Sequence, residues 1–516
     1  MVDAIHSFLL RRTEEAARER ASYWKRDCRS AEAYERSVAP NRDHLRRIVG
    51  AIDPRVDVPR LEVIDTAPGK ARAAKGTGYT VYAARWPVLE PVTADFGGLE
   101  TEGLLLEPDS EPAGRVVAIP DADWSPEMLV GLAPGVPEAA QFARRLAENG
   151  CQVLVPVVIN RSDDWSGIEE FEMTHQPHPE WIYRMAFEVG RHIMGFEVQK
   201  VLAAIDWFTH ETAKQPAPLG VIGYGEGGLL ALYSAAIDLK IEAAVVSGYF
   251  QSRQELWKEP IYRDVWALLR EFGDAELASL IAPRALIVEA TAGPEVDGPP
   301  PATEYHKGSA CPNGKLISPP LNSVQEEVER ARPFFAALKA QDKLKLVVSH
   351  GGRGLPGSEG ALRGFLRSLG LNSRLKTAAR PPLVLKRDNG SNLNHQAVDE
   401  VLARYLVIPL NSPPHYPPYN GGMECAVREL KTLLVKKILA SSPVPESQVQ
   451  VWAEVWAHEL NHRSRGCLHG QVACEVFQDA KPALKAYTLR KRKETFDWIN
   501  ELTMTLIQVW AVHTQR

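Results

Sequence analysis

The sequence predicts an α/β protein whose main part is a doubly wound parallel sheet. Apolar, strand-like runs alternate with helical patterns between about residues 46 and 375. A glycine-rich turn joins one of these runs to the next helical pattern at residues 221–230. At 516 residues the chain also exceeds one ordinary domain of roughly 150 residues. These observations predict a large open sheet accompanied by further segments at the two ends.

The predicted elements follow one another in the order expected of a parallel sheet that is covered on both faces. The predicted strands are residues 103–106, 115–119, 153–158, 219–222, 243–246, 285–288 and 344–348. The predicted helices between them are residues 138–149, 181–209, 228–237, 324–340 and 360–369. The Pro- and Gly-rich stretch 293–320 predicts a long loop. We therefore expect charged N-terminal helices over 1–45, a sheet domain over 46–375 and a separate C-terminal part over 376–516.

The turn at residues 221–230, Val-Ile-Gly-Tyr-Gly-Glu-Gly-Gly-Leu-Leu, has the shape of a G-x-S-x-G nucleophile elbow. Gly225 stands where that motif has its serine. Glu295 and Asp297 follow a later predicted strand, and His350 ends the last one. The order of elbow, acid and histidine is that of α/β-hydrolases. Together with the segment 142–156, it makes residues 46–375 resemble the dienelactone hydrolase and acetyl xylan esterase group.

This resemblance implies a catalytic triad with one member missing. It assigns the vacant nucleophile position to Gly225, the base to His350 and the acid to Glu295 or Asp297. It also places residues 121–124 where an oxyanion donor would lie. Glycine has no side chain that could form an acyl-enzyme, so we expect a serine-hydrolase-like pseudoenzyme. On the same reasoning, a serine at position 225 is expected to raise ester hydrolysis.

A second resemblance concerns the tail, residues 381–480. Asp388 ends a predicted strand, and 35 residues separate it from Glu424 in the segment Pro-Pro-Tyr-Asn-Gly-Gly-Met-Glu. This D-x(35)-E spacing is similar to that of the DDE integrase and transposase core, a ribonuclease-H-like fold. The resemblance implies that Asp388 and Glu424 are a catalytic pair holding Mg²⁺ or Mn²⁺ weakly, with no other cofactor. The family's first aspartate is not evident upstream, so the predicted fragment is truncated.

Charge and composition set the expected partners and location. Residues 376–516 contain 18 Lys+Arg and 13 Asp+Glu, whereas the rest of the chain contains 42 and 52. The basic C-terminal region is therefore a candidate for contact with DNA. Uncovered edges of a truncated sheet would favour oligomers. Scattered cysteines, the absence of a signal-peptide pattern at the N-terminus and the lack of an apolar membrane span predict a cytoplasmic protein without a membrane partner.

The sequence leaves several classes of function open. The first expectation is an integrase- or transposase-like protein for DNA integration and nucleic-acid binding, in the form of a degenerate fusion that carries the hydrolase-like domain. The alternative is an esterase or dienelactone-hydrolase-like enzyme, or a non-catalytic pseudo-hydrolase that binds a small ligand. A zinc peptidase would rest on the five residues 458–462, His-Glu-Leu-Asn-His. Whether the chain is an enzyme stays open at this stage.

Overall fold

A computed structural model describes residues 1–371 except 58, 65–71, 92–97, 164–175, 215 and 298–313, and also the backbone of residues 384–387 and 408–411. The contacts between residues divide the chain into two compact units, Met1–Pro381 and Pro382–Arg516. The predicted domain boundaries after residues 45 and 375 stay predictions. No helix among the described residues is both long enough and apolar enough to span a bilayer.

Ten strands in the described part of the first unit form one sheet. They are β1 Glu62–Ile64, β2 Arg72–Gly76, β3 Tyr79–Pro87, β4 Glu100–Pro108, β5 Gly114–Ile119, β6 Cys151–Pro156, β7 Leu219–Tyr224, β8 Ala243–Ser247, β9 Ala285–Ala290 and β10 Leu344–Val348. Their order across the sheet is β1-β3-β4-β6-β5-β7-β8-β9-β10, and β2 pairs with β3. Strands β6, β5, β7, β8, β9 and β10 run parallel to one another. Their carboxyl ends therefore lie at one edge of the sheet.

Helices cover both faces of the sheet. They are α1 Val2–Glu19, α2 Ala31–Ile48, α3 Pro126–Val130, α4 Phe142–Glu148, α5 His178–Glu188, α6 Ile193–Lys214, α7 Glu226–Ile237, α8 Leu268–Glu271, α9 Asp274–Ile281, α10 Leu321–Ala337 and α11 Glu359–Ser368. Helix α7 is buried along its whole length, as its apolar sequence requires. Helix α2 begins at Ser30, whose side chain accepts a hydrogen bond from the Ala33 amide.

Alternate residues of each central strand enter two different apolar clusters. In β5, Val117 and Ile119 pack into the cluster that includes α2, α6, α7, α9 and α10. Val116 and Ala118 of the same strand pack into the cluster that includes α3, α4 and α11. This is the period of two that a pleated strand imposes on its side chains. The core is therefore a sheet between two helical layers, which pack against its two faces.

The predicted α/β-hydrolase-like fold is confirmed, with one correction to its sheet. All the predicted strands of residues 46–375 occur, but the sheet is mixed and not purely parallel. Strands β1 to β4 pair antiparallel, because β2 and β3 form a hairpin whose turn includes Gly78 at φ 83°. The expectation missed β1, β2 and β3; β1 and β2 are only three and five residues long, too short to show a strand pattern.

The prediction of a truncated ribonuclease-H-like fragment is not supported. In the second unit the structure describes one parallel pair of strands, β11 Val384–Arg387 and β12 Ile408–Asn411. A single pair of short strands is common to many folds and does not define that one. The predicted metal-binding residues Asp388 and Glu424 and the zinc-like segment 458–462 lie outside the described residues.

Candidate functional site

The strand-to-helix turn at Gly225 has the backbone geometry that the elbow motif requires. Gly225 lies between β7 and α7 with φ 57° and ψ −115°, a conformation that L side chains rarely adopt. The turn is also closely packed, since a Cβ atom at Gly227 would lie 2.2 Å from the Ile119 carbonyl oxygen. The Gly225 amide donates to the Ser247 carbonyl oxygen at the end of β8 over 3.0 Å, which fixes the turn against the neighbouring strand. The elbow is thus formed although its serine is absent.

The space that a side chain at residue 225 would need is already occupied. A Cβ atom built on Gly225 would lie 2.3 Å from Oδ1 of Asp121 and 2.8 Å from Cγ of Pro294. Asp121 follows β5 and is 2% exposed. Its Oδ1 accepts a hydrogen bond of 2.9 Å from the backbone amide of Glu226. In a serine hydrolase the amide after the nucleophile is an oxyanion donor, so here a carboxylate of the chain itself takes that bond.

Arg161 holds the Asp121 carboxylate in this position. The guanidinium donates to Oδ2 of Asp121 over 2.8 Å and to Oδ1 over 3.2 Å. It also contacts Asp123 at 2.8 Å and donates to the Tyr262 hydroxyl at 2.9 Å. Burial alone would raise the pKa of Asp121, but the charge of Arg161 and the hydrogen bonds of the Glu226 and Asp123 amides keep that pKa below its usual value. The site therefore stabilises a negative charge beside Gly225.

Arg161 belongs to a buried series of alternating charges, which we call the cleft network. Its members in order are Asp121, Arg161, Glu226, Arg263, Glu259, Arg253 and Asp274. Consecutive partners lie 2.7 to 3.2 Å apart. Burial raises the pKa of Asp274 to about 6, against the lowering effect of Arg253. The network links Asp121, beside the elbow, to Asp274, the first residue of α9, through a chain of ion pairs.

A small cavity remains beside the network. It has a volume of about 10 Å³ and is lined by Tyr249, Arg253, Arg263, Pro294 and neighbouring residues. A cavity of about this size holds at most one water molecule. The lining of this cavity does not include Gly225, and its volume is too small for an acyl group.

The residues assigned to the rest of the triad lie at the same edge of the sheet but do not contact one another. His350 follows β10, and Glu295 and Asp297 follow β9. Glu295 is exposed and accepts a hydrogen bond of 2.9 Å from Ser318, and Asp297 is 3.2 Å from Lys315. Among the described residues, no hydrogen bond or ion pair joins His350 to either acid. The structure thus brings Gly225 against Asp121 and Pro294 and leaves the predicted base and acids apart.

The assignment of residues 121–124 to an oxyanion donor stays a prediction, and the sequence did not indicate the arginines of the cleft network. Arg161, Arg253 and Arg263 were not predicted. One signal was available, because Arg161 comes soon after the fully buried strand β6 and so lies near the carboxyl edge. Within the described residues, no group of three or more His, Cys, Asp or Glu side chains could hold a metal ion.

Comparison with known proteins supports the hydrolase-like part of the chain. Residues 102–262 match the dienelactone hydrolase family, a stretch that contains β5, Asp121, Arg161 and the elbow. YtaP of Bacillus subtilis (strain 168), which is named as a hydrolase, is 31% identical over 109 residues, or 20% of this chain. The chain spans 36% of the length of this curated relative.

Solved esterase structures are similar to the chain at low identity. A protein of Bacteroides fragilis NCTC 9343, named as an acetyl xylan esterase, has 15% identity and a TM-score of 0.42, covering 66% of this chain and 84% of its own. A glucuronoyl esterase from Solibacter usitatus has 13% identity and a TM-score of 0.42, covering 66% of this chain and 94% of its own.

These findings correct the function that the sequence suggested first. The integrase- or transposase-like function is wrong, because the family match falls on residues 102–262 and defines a dienelactone-hydrolase-like domain. The D-x(35)-E spacing is weak evidence, because two carboxylates at a given separation occur by chance far more often than a match along a whole domain. The predicted Mg²⁺ or Mn²⁺, DNA contact, oligomer formation and cytoplasmic location are not tested by the structure and stay predictions.

Proposed function

We propose that the first unit is a pseudo-hydrolase of the dienelactone hydrolase and esterase class, which does not hydrolyse esters through a serine. The family match supports the class. Fold alone does not establish an activity, so the proposal depends on the chemistry of the elbow. There the attacking hydroxyl is missing, and a covalent acyl-enzyme cannot form on Gly225.

The observation that carries the proposal is the occupied space beside Gly225. Asp121 and Pro294 lie where a nucleophile's side chain would start, and the Glu226 amide is already bonded to Asp121. An ester carbonyl would have to displace a buried ion pair to reach that amide. His350 has no bond to Glu295 or Asp297 in the described residues, so it lacks the orienting partner that makes a histidine an effective base.

We expect the purified full chain to hydrolyse 4-nitrophenyl acetate no faster than buffer containing a catalytically inert protein. Loss of a triad nucleophile removes on the order of 10⁶ in kcat in a serine protease. The matched control is His350→Ala, which should be indistinguishable from the unaltered chain. Release of 4-nitrophenol that exceeds the blank and disappears in His350→Ala would show that water or another hydroxyl is activated, and the chain would then be an esterase.

A further inference from the structure

The Asp121 side chain makes the contacts that a bound carboxylic acid would make. One oxygen accepts from the Glu226 amide, and both accept from Arg161. The remaining bond, from the Asp123 amide at 3.2 Å, also goes to this carboxylate. Beyond Cβ, the Asp121 side chain is a carboxylate, and together with Cβ it has the size of acetate. These donors are on three segments: the loop after β5, the loop after β6 and the first residue of α7.

The site around that carboxylate is built to hold an anion. Arg161 is 8% exposed in its side chain, and its position is fixed independently by Tyr262 and Glu226. Glu226 and Asp123 add negative charge nearby, and Arg263 offsets part of it through Glu226. Despite these acids and the burial, the pKa of Asp121 is lowered. The local donors therefore favour a negative charge at this point over a neutral one.

We propose that Arg161 and the Glu226 amide form a binding site for small monocarboxylates, which Asp121 occupies as an intramolecular ligand. This inference goes beyond the proposed function, because in the unaltered chain Asp121 itself occupies the site and no external ligand is named. When the Asp121 carboxylate is present, it closes the site. When the carboxylate is absent, an external carboxylate of matching size takes its place and restores the same hydrogen bonds.

Two substitutions test the proposal by matching the missing atoms. Asp121→Ala removes a carboxylate, which formate replaces, whereas Asp121→Gly removes the equivalent of acetate. Each full-length variant is heated with sodium formate, sodium acetate or sodium chloride at equal ionic strength. We expect a saturable rise in Tm of roughly 2 °C at ten times Kd for each matched pair. The Kd of acetate for Asp121→Ala should be at least fivefold higher than that of formate, because the methyl group of acetate meets the alanine Cβ atom.

The controls separate binding at this site from general salt effects. The unaltered chain and Asp121→Asn, which keeps an oxygen at the Glu226 amide, should show equal Tm values in all three salts. Adding Arg161→Met to Asp121→Ala should abolish the formate effect. If either Asp121 variant is insoluble alone, soluble yield after refolding is compared in the matched carboxylate and in chloride, and rescue is expected.

The outcomes are distinguishable from those of the proposed function. Equal Tm values or equal refolding yields in carboxylate and chloride for both variants would overturn the carboxylate site, whatever the esterase assay shows. Ester hydrolysis by the unaltered chain would overturn the pseudo-hydrolase, even if formate binds to Asp121→Ala. A formate effect that persists with Arg161→Met would place the bound anion elsewhere and also overturn the site.

Discussion

Replacing Arg263 by methionine is expected to lower the free energy of unfolding of the first unit by about 3–5 kcal/mol, the usual cost of removing one partner from a buried ion pair. Arg263 is buried and donates to Oε2 of Glu226 over 2.7 Å and to Oε2 of Glu259 over 2.8 Å. Methionine fills much of the volume but offers no charge. The two carboxylates would then remain buried with an excess of negative charge around them.

The loss is measured by urea unfolding followed by tryptophan fluorescence. The matched control is Arg363→Met, because Arg363 pairs with Glu359 on α11 while both side chains are more than half exposed. An exposed pair of this kind contributes about 0–1 kcal/mol. If the two variants lost the same stability, the buried ion pairs of the cleft network would contribute no more than surface pairs do.

Parts of this fold could be predicted from local features of the sequence. Strands β5 and β7 were predicted because they are short, apolar and buried on both faces, and that information is local. The break between α5 and α6 was missed, because the helical pattern continues through residues 189–192 and only Gly190 marks the interruption. The glycines of the elbow were readable because close backbone contacts require them.

The occupant of the site could not be predicted in the same way. Residues 121–124 were assigned to the oxyanion segment by order along the chain. Which way the Asp121 carboxylate turns depends on Arg161, 40 positions away in sequence, and on the Glu226 amide beyond that. Long-range ion pairs of this kind leave no periodic signal. The sequence therefore shows only that the nucleophile is missing at Gly225. In the structure, Asp121 and Pro294 occupy the space beside it.

That difference changes the expected result of restoring the serine. From sequence alone, Gly225→Ser should raise ester hydrolysis. In the structure its Cβ would lie 2.3 Å from Oδ1 of Asp121 and 2.8 Å from Cγ of Pro294. We therefore expect no gain in hydrolysis of 4-nitrophenyl acetate from this substitution. We also expect a loss of stability of about 1–3 kcal/mol from overpacking, in addition to about 1–3 kcal/mol for a side chain at φ 57° and ψ −115°, a conformation that L residues rarely adopt.

The contribution of crowding is isolated by making the same change where there is space. Gly190 has φ 66° and no atom within 4 Å of a built Cβ, so Gly190→Ser measures the cost of a side chain at positive φ without crowding. Urea unfolding of the two variants should differ by the overpacking energy. When the double variant Gly225→Ser with Asp121→Ala is compared with Asp121→Ala alone, the cost of adding Gly225→Ser should be smaller than in the unaltered chain, because the carboxylate no longer crowds the Cβ atom, but it should not vanish, because Pro294 still limits the space.

Other results of these experiments would show which of these assumptions is wrong. If Gly225→Ser unfolds at the same urea concentration as Gly190→Ser and hydrolyses the ester, Asp121 yields easily, and the elbow is an active site lacking only its hydroxyl. If the double variant alone gains hydrolysis, the carboxylate is the remaining barrier and His350 is competent as a base. If neither gains it, the separation of His350 from Glu295 and Asp297 is sufficient to prevent catalysis, because a serine without an oriented base stays protonated.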